Sequence, residues 1–105
     1  MASDVVIVLT TLGAASDADA FARILVEEGL AACVNVLPPM RSTYRWKGAI
    51  ERDEERQLLI KTTAERVKAL EARVRELHPY QTPEFLVVNV AGGGDAYLRW
   101  LAEST

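Results

Sequence analysis

Two helical segments each lie between two strand-like segments, and this order constrains the fold more than any other feature of the chain. The strand-like segments are residues 5–9, 32–37, 49–62 and 85–90. Between them, residues 21–28 and 67–77 carry apolar side chains at helical spacing. The repeated order strand–helix–strand predicts an α+β, ferredoxin-like β-α-β-β-α-β fold, with the helices on one face of an antiparallel sheet.

Short polar residues and glycines mark the predicted ends of the helices. Ser16 is expected to cap the first helix, and Thr62, with Glu65 three residues later, forms a capping-box pattern before the second. Gly29 is expected to end the first helix. Asp95 is expected to cap a short C-terminal helix that extends through residues 97–101.

The third strand-like segment, residues 49–62, is too long for a compact domain of this size. It returns from a tight turn predicted at Lys47-Gly48. Fully extended, it would span about 46 Å, whereas the domain diameter should be only about 30–35 Å. We therefore expect a protruding hairpin that exposes Tyr44, Trp46 and Ile50. Pairing with neighbouring chains in a symmetric ring would cover its edges; the alternative is a hairpin that curls back over its own sheet.

Composition narrows the classes of partner and compartment. The 105 residues suit a single domain, 1–105, and half of them are hydrophobic, which opposes disorder. The net charge of −3 gives no general attraction to nucleic acid or to an anionic membrane, and no apolar run approaches the length of a membrane span. With one cysteine there can be no intramolecular disulfide. A cytoplasmic location is therefore expected.

His78 and Cys33 are the candidate soft metal ligands. His78 is the only histidine, and it could bind a metal or transfer protons. Alternatively, it ends the second helix before Pro79, where a cation suits the helix dipole. Cys33 follows two alanines in a predicted strand, a context typical of a small buried side chain. Nothing in the sequence brings the two within reach of each other or adds an orienting group, so we do not predict an enzyme.

Two further patterns carry polar groups. Glu51, Asp53 and Glu55 alternate along one strand face, where they could hold a hard cation; a solvated face that discourages edge pairing is the favoured interpretation. The segment 78–84 is bracketed by two prolines and contains polar and aromatic residues, which makes it a stronger functional candidate than a core segment. Lys61, at the end of the long strand, could reach it.

Several separated motifs resemble the CutA divalent-cation tolerance family. They run in order over nearly the whole chain: Cys33-Val34-Asn35-Val36 followed by Pro38; Ser42-x-Tyr44-x-Trp46-x-Gly48-x-Ile50-Glu51; Ile60-Lys61-Thr62; His78-Pro79-Tyr80-x-x-Pro83-Glu84; and Tyr97-x-x-Trp100. The resemblance implies a ferredoxin-like protomer, a compact homotrimer like that of the PII signalling proteins, and a link to tolerance of copper and other divalent metals.

The resemblance also implies a set of site residues. His78 and Cys33 are the implied metal ligands for Cu(II) or another divalent cation, and Tyr44, Trp46, Lys61, Tyr80 and Glu84 fit a cleft between subunits. Some members of the family carry more cysteines and a second histidine beside the His-Pro-Tyr motif, where this chain has Leu77. Because a tight copper site needs three or four ligands, another subunit or Glu84 would have to complete this one.

Four functions follow as alternatives. The first is a metal-responsive trimer that binds a divalent ion through His78. The second is a small-molecule sensor or adaptor of the PII type, with ligands in the clefts between subunits. The third is an enzyme, and the fourth is a purely structural role. The fold alone does not separate them.

Overall fold

The computed structural model describes residues 4–105. It contains five strands and three α-helices in this part of the chain, with a 3-10 turn at Ala64–Arg66 before the second helix. The elements are β1 Val5–Gly13, α1 Ala18–Glu27, β2 Cys33–Val36, β3 Met40–Trp46, β4 Ala49–Thr63, α2 Val67–Leu77, β5 Leu86–Asn89 and α3 Asp95–Glu103.

The strands form one antiparallel sheet with the order β2-β4-β1-β5, and β3 pairs with the outer part of β4. Each of the two strand–helix–strand units contributes an inner strand, β1 or β4, and an edge strand. The break at residues 37–39, which contains two prolines, separates β2 from β3. This confirms the predicted α+β, ferredoxin-like order with an additional C-terminal helix.

The core lies between one face of the sheet and helices α1 and α2. Alternate residues of the paired inner strands, such as Val8 and Ile60, are fully buried on this face. Leu25 of α1 and Leu70 of α2 pack into the same cluster. Burying each such side chain contributes about 1.5–3 kcal/mol to folding, so this shared cluster fixes the register between the strands.

The β3–β4 hairpin protrudes from this core, as predicted. Within residues 4–105, residues 49–54 of β4 pair only with β3, whereas residues 55–63 pair with β1. The longest dimension of the molecule is 44 Å, against 27 and 24 Å across it. The turn has positive φ at Lys47 (49°) and Gly48 (84°), which matches the twist of the two strands.

The predicted helix starts need correction. Asp17, not Ser16, caps α1, because its carboxylate accepts a hydrogen bond from the Ala20 amide. Thr62 does not cap the second helix: it is buried in β4, and its hydroxyl donates to the Leu30 carbonyl. Asp95 is the first residue of α3, and no side chain of the described residues caps that helix. These assignments failed because several neighbouring short polar residues could serve as caps, and only tertiary contacts select among them.

The predicted end of α1 is confirmed. Gly29 has φ of 71°, and the amide of Leu30 donates to the carbonyl of Leu25. This bond and the bond from the Gly29 amide to Val26 form a Schellman motif, which satisfies the last carbonyls of the helix.

Candidate functional site

An open groove of about 780 Å³ lies between the root of the hairpin and the loop formed by residues 80–84. We call it the hairpin groove. Alternate residues of β3 and β4 form its floor, since cross-strand partners such as Ser42 and Asp53 face the same side. Its lining residues are Thr11, Met40, Ser42, Thr43, Tyr44, Trp46, Asp53, Glu55, Gln57, Tyr80, Gln81, Thr82, Pro83 and Glu84.

A buried carboxylate, Glu55, lies at the centre of this lining. Only 7% of its surface is exposed, and the Tyr80 hydroxyl donates to its Oε2 atom at 2.8 Å. Burial, followed by this hydrogen bond to Glu55, raises the pKa of Tyr80 above its ordinary value of 10.0. Tyr80 is therefore a neutral hydrogen-bond donor at physiological pH.

A second tyrosine–carboxylate pair lies farther out on the hairpin. The Tyr44 hydroxyl donates to Asp53 Oδ2. This hydrogen bond is the main reason that the pKa of Tyr44 is raised from 10.0 to about 12. Both phenols thus stay protonated near neutral pH and orient the two carboxylates beside them.

Gln57 connects the loop to the sheet. Its side-chain amide donates to the Thr10 carbonyl at 2.8 Å and to Glu84 Oε2 at 2.9 Å. Glu84 is thereby held at the groove by a residue of the long strand β4.

His78 is buried at the end of α2, with 7% of its surface exposed. Its Nε2 atom lies 2.6 Å from the Thr11 carbonyl oxygen, and its Nδ1 atom accepts the Tyr80 amide at 3.1 Å. These two partners assign the ring proton to Nε2. In this conformation both ring nitrogens are engaged, and the imidazole positions Tyr80, whose ring centroid lies 4.7 Å away.

Cys33 lies elsewhere on the sheet. It is half-buried on β2 opposite Lys61, whereas Thr11, the His78 partner, is opposite Gln57. Four residues of β4 separate these positions, or roughly 13 Å along the strand. Cys33 and His78 therefore do not share a site within one protomer. Residues 4–105 contain no group of three or more His, Cys, Asp or Glu side chains arranged to hold a metal ion.

The structure gathers four of the seven predicted site residues into one groove and leaves three outside its lining. Tyr44, Trp46, Tyr80 and Glu84 line the groove. Lys61 instead lies beside the C-terminal helix, where its Nζ atom is 3.5 Å from the Tyr97 hydroxyl. Cys33 and the buried His78, which lies behind Tyr80, are the other two residues outside the lining.

The residues that sequence reasoning undervalued are Glu55 and Gln57. The alternation of Glu51, Asp53 and Glu55 favours a solvated strand face, yet Glu55 is buried. The available signal was the period-2 alternation itself, which places Asp53, Glu55 and Gln57 on the same face as Tyr44 across the hairpin. The burial depended on the loop at residues 80–84 folding over that face.

No helix within residues 4–105 is long and apolar enough to cross a membrane.

Comparison with known proteins shows that this chain is similar to one protein family over nearly its whole length. The profile of the CutA1 divalent ion tolerance protein family matches residues 6–104. The divalent-cation tolerance protein CutA of Thermus thermophilus is 46% identical over 99 residues, covering 94% of this chain and 96% of that protein. The CutA protein of Pectobacterium atrosepticum is 44% identical over 101 residues, with coverage of 96% and 92%.

Solved structures give the same result for the fold. The structure of a divalent cation tolerance protein from Thermus thermophilus superposes with a TM-score of 0.92 at 44% identity, covering 96% of this chain and 98% of that one. A protein described as the PII-like protein CutA from Nostoc superposes with a TM-score of 0.88 at 36% identity, with coverage of 95% and 96%.

Proposed function

Because the chain belongs to the CutA1 divalent ion tolerance family, we propose that it supports tolerance to divalent cations, copper among them, by binding the ion directly but weakly. The observation that carries this proposal is the family match over residues 6–104. The family is named for tolerance and not for a reaction, which supports a binding role. We place the protein in the cytoplasm and treat residues 1–105 as one domain.

The proposed ligands are His78, Cys33 and Glu84. One protomer does not fit a tight copper site, because both His78 nitrogens already have partners and Cys33 lies at another part of the sheet. Binding through His78 would require the ring to release the Tyr80 amide. We therefore propose a weak site that is completed by carboxylates or by a neighbouring subunit.

We further propose that the protein is a homotrimer with clefts at Tyr44, Trp46, Lys61 and Tyr80. Support comes from the edges of the sheet. Strand β5 is an edge strand, and its apolar residues Leu86, Val87 and Val88 are 55%, 46% and 45% exposed. An apolar edge strand that remains exposed invites pairing with another chain, and a closed ring would cover every such edge.

Calorimetry with copper and zinc on the metal-free protein tests the metal proposal. Wild type should be compared with Cys33→Ala and with His78→Gln, which keeps a polar side chain, while light scattering reports the mass of each sample. A heat signal lost in His78→Gln with unchanged mass supports the site. Identical weak binding by all three proteins would contradict direct binding through these residues.

The second candidate function is a PII-like small-molecule sensor or adaptor. The specific observation that favours it is the hairpin groove, whose volume falls within the range of ordinary ligand pockets. A ligand that binds the folded protein raises its melting temperature by mass action. A broad metabolite screen in metal-free buffer tests this function, and a screen without any shift would count against it.

A further inference from the structure

The charge of the hairpin groove is one-sided. Among the described residues that line it, three are carboxylates, Asp53, Glu55 and Glu84, and none is a lysine or arginine. The adjacent Arg56 is outside this lining, because successive residues of a strand face opposite sides of the sheet, and its guanidinium donates to the Leu37 carbonyl. The potential in the groove therefore favours a positively charged ligand.

The environment of Glu55 is a second, independent reason to expect a positively charged ligand in the groove. It is more than nine-tenths buried, and within residues 4–105 its carboxylate has a single hydrogen-bond donor, the Tyr80 hydroxyl, and no ion-pair partner. The bond uses Oε2 and leaves Oε1 without a donor in this part of the chain. Among the described residues, Thr10 Oγ1 is the only buried side-chain oxygen or nitrogen without a hydrogen-bond partner, so Glu55 Oε1 retains contact with solvent at the groove. Because carboxylates that are mostly shielded from water favour a cationic partner, an ammonium or guanidinium group would complete the hydrogen bonding of this oxygen.

The aromatic side chains of the groove suit an organic cation. Tyr44, Trp46 and Tyr80 are 40%, 40% and 38% exposed, although large aromatic rings are usually more buried. Ring faces attract ammonium and guanidinium groups. The Lys47 ammonium already lies 5.7 Å from the centre of the Trp46 ring, which shows that this ring accepts such a contact.

The same residues suit a metal ion poorly. A hard divalent cation takes six or more oxygen ligands at short distance, whereas two of the three carboxylates are bound to phenols and the third to Gln57. No group of acidic or imidazole side chains in residues 4–105 has the arrangement of a metal site. A larger cation can contact dispersed carboxylates and rings together.

From these observations we infer that the hairpin groove binds a small organic cation, a primary ammonium or a guanidinium compound. Its charged group would bond to Glu55, and its carbon chain would lie along Tyr44 and Trp46. This inference rests on the second proposed function, ligand binding in the groove, and it adds the chemical class of the ligand.

The test compares four probes of similar length that differ in charge. Butane-1,4-diammonium and n-butylguanidinium are titrated beside the neutral butane-1,4-diol and the anionic succinate, by calorimetry and by fluorescence. A Trp100→Phe background leaves Trp46 as the only indole. We expect the two cations to saturate one site per protomer and to change Trp46 emission, and the diol and succinate to do neither.

Single substitutions show whether the cationic probes bind in the hairpin groove. Glu55→Gln should weaken cation binding by about tenfold or more, because a hydrogen bond to a charged group is lost. Glu54→Gln is the matched control: it removes the same charge from the preceding position of β4, which is exposed and outside the groove. In the protein that retains Trp100, Trp46→Leu should weaken binding by about fivefold. Because Trp46 is exposed, Trp46→Leu still tests the inference if Glu55→Gln fails to fold.

Three outcomes would overturn the inference. Saturable binding of succinate or the diol but not of the cations would leave groove binding intact and refute the chemical class. Absence of binding by all four probes would refute the chemical class, while the metabolite screen would still decide the sensor function and metal calorimetry the metal proposal. Loss of the oligomer in Glu55→Gln, together with no probe binding, would show that a neighbouring copy fills the groove.

Discussion

At the residue scale, the polar side chains near the groove form a connected set of hydrogen bonds. The His78 ring donates to the Thr11 carbonyl and accepts a hydrogen bond from the Tyr80 amide. The Tyr80 hydroxyl in turn donates to Glu55. Each link is buried or half-buried, so removal of a partner leaves a polar group unsatisfied, which is costly wherever water cannot replace the lost bond. The imidazole is therefore a structural element of the groove in this conformation.

The first prediction concerns His78. His78→Ala should lower the free energy of unfolding by about 2–4 kcal/mol, because the Thr11 carbonyl and the Tyr80 amide both lose their partner. Guanidinium denaturation at fixed protomer concentration measures the change. Gln81→Ala, an exposed neighbour in the loop, should cost less than about 0.5 kcal/mol. Equal effects of the two substitutions would contradict the role assigned to the ring.

The second prediction concerns alkaline pH. The pKa of Tyr44 is raised from 10.0 to about 12, chiefly because its hydroxyl donates to Asp53. A raised pKa of a group that ionises to an anion means that its contribution to stability is complete below pH 10 and lost as pH rises towards 12. Asp53→Asn should therefore move the ionisation of Tyr44 to lower pH. Absorbance titration of the phenols, compared with Tyr44→Phe to identify the signal, checks this, and an unshifted curve would oppose it.

At the scale of single elements, the long strand β4 organises the molecule. Its outer residues pair only with β3 and form the hairpin, and its inner residues pair with β1 and β2 to form the centre of the sheet. Glu55 lies at the junction, where the hairpin leaves the core and the loop at residues 80–84 covers the strand. The groove exists because one strand belongs to both regions.

The third prediction tests the hairpin turn. Gly48 has φ of 84°, a conformation that side chains of L-residues disfavour. Gly48→Ala should therefore lower the free energy of unfolding by about 1 kcal/mol, even though an added methyl group meets no atom within 4 Å. Gly92→Ala is the control, since that site is equally open and has no positive φ. Denaturation midpoints measure both, and a larger loss at Gly92 would refute the turn assignment.

At the scale of the whole molecule, the protomer leaves much apolar surface uncovered. Strand β5 is exposed along its length, and Tyr97 and Trp100 of α3 are 47% and 45% exposed. A protomer that is 44 Å long and 24 Å across in its thinnest direction also has a large surface for its volume. Association of several copies would bury this surface, which is the physical basis of the trimer proposal.

The fourth prediction therefore concerns the mass in solution. Leu86→Lys places a charge on the apolar edge strand and should shift the oligomer towards the protomer, because a buried unpaired charge opposes association. Light scattering measures the mass. Val26→Lys, at an exposed position of α1, adds the same charge away from this edge and should leave the mass unchanged. An unchanged mass in both variants would place the interface elsewhere.

The sequence by itself determined the order of the elements, the ends of α1 at Gly29 and of α2 at His78, and the protruding hairpin. These features follow from local periodicity, from the conformational limits of glycine and proline, and from the fixed length of an extended residue. The resemblance in separated motifs also identified the family before any geometry was known.

Only the tertiary structure decided which side chains meet. The register between β1 and β4 places Thr11 opposite Gln57. His78 lies beside the groove because its ring contacts the Thr11 carbonyl. Cys33 is opposite Lys61 and lies away from the groove. The burial of Glu55 likewise depends on a distant loop and not on its neighbours in sequence. The physical reason is that contacts between strands and loops far apart in the chain are selected by packing of the whole core, which local patterns do not encode.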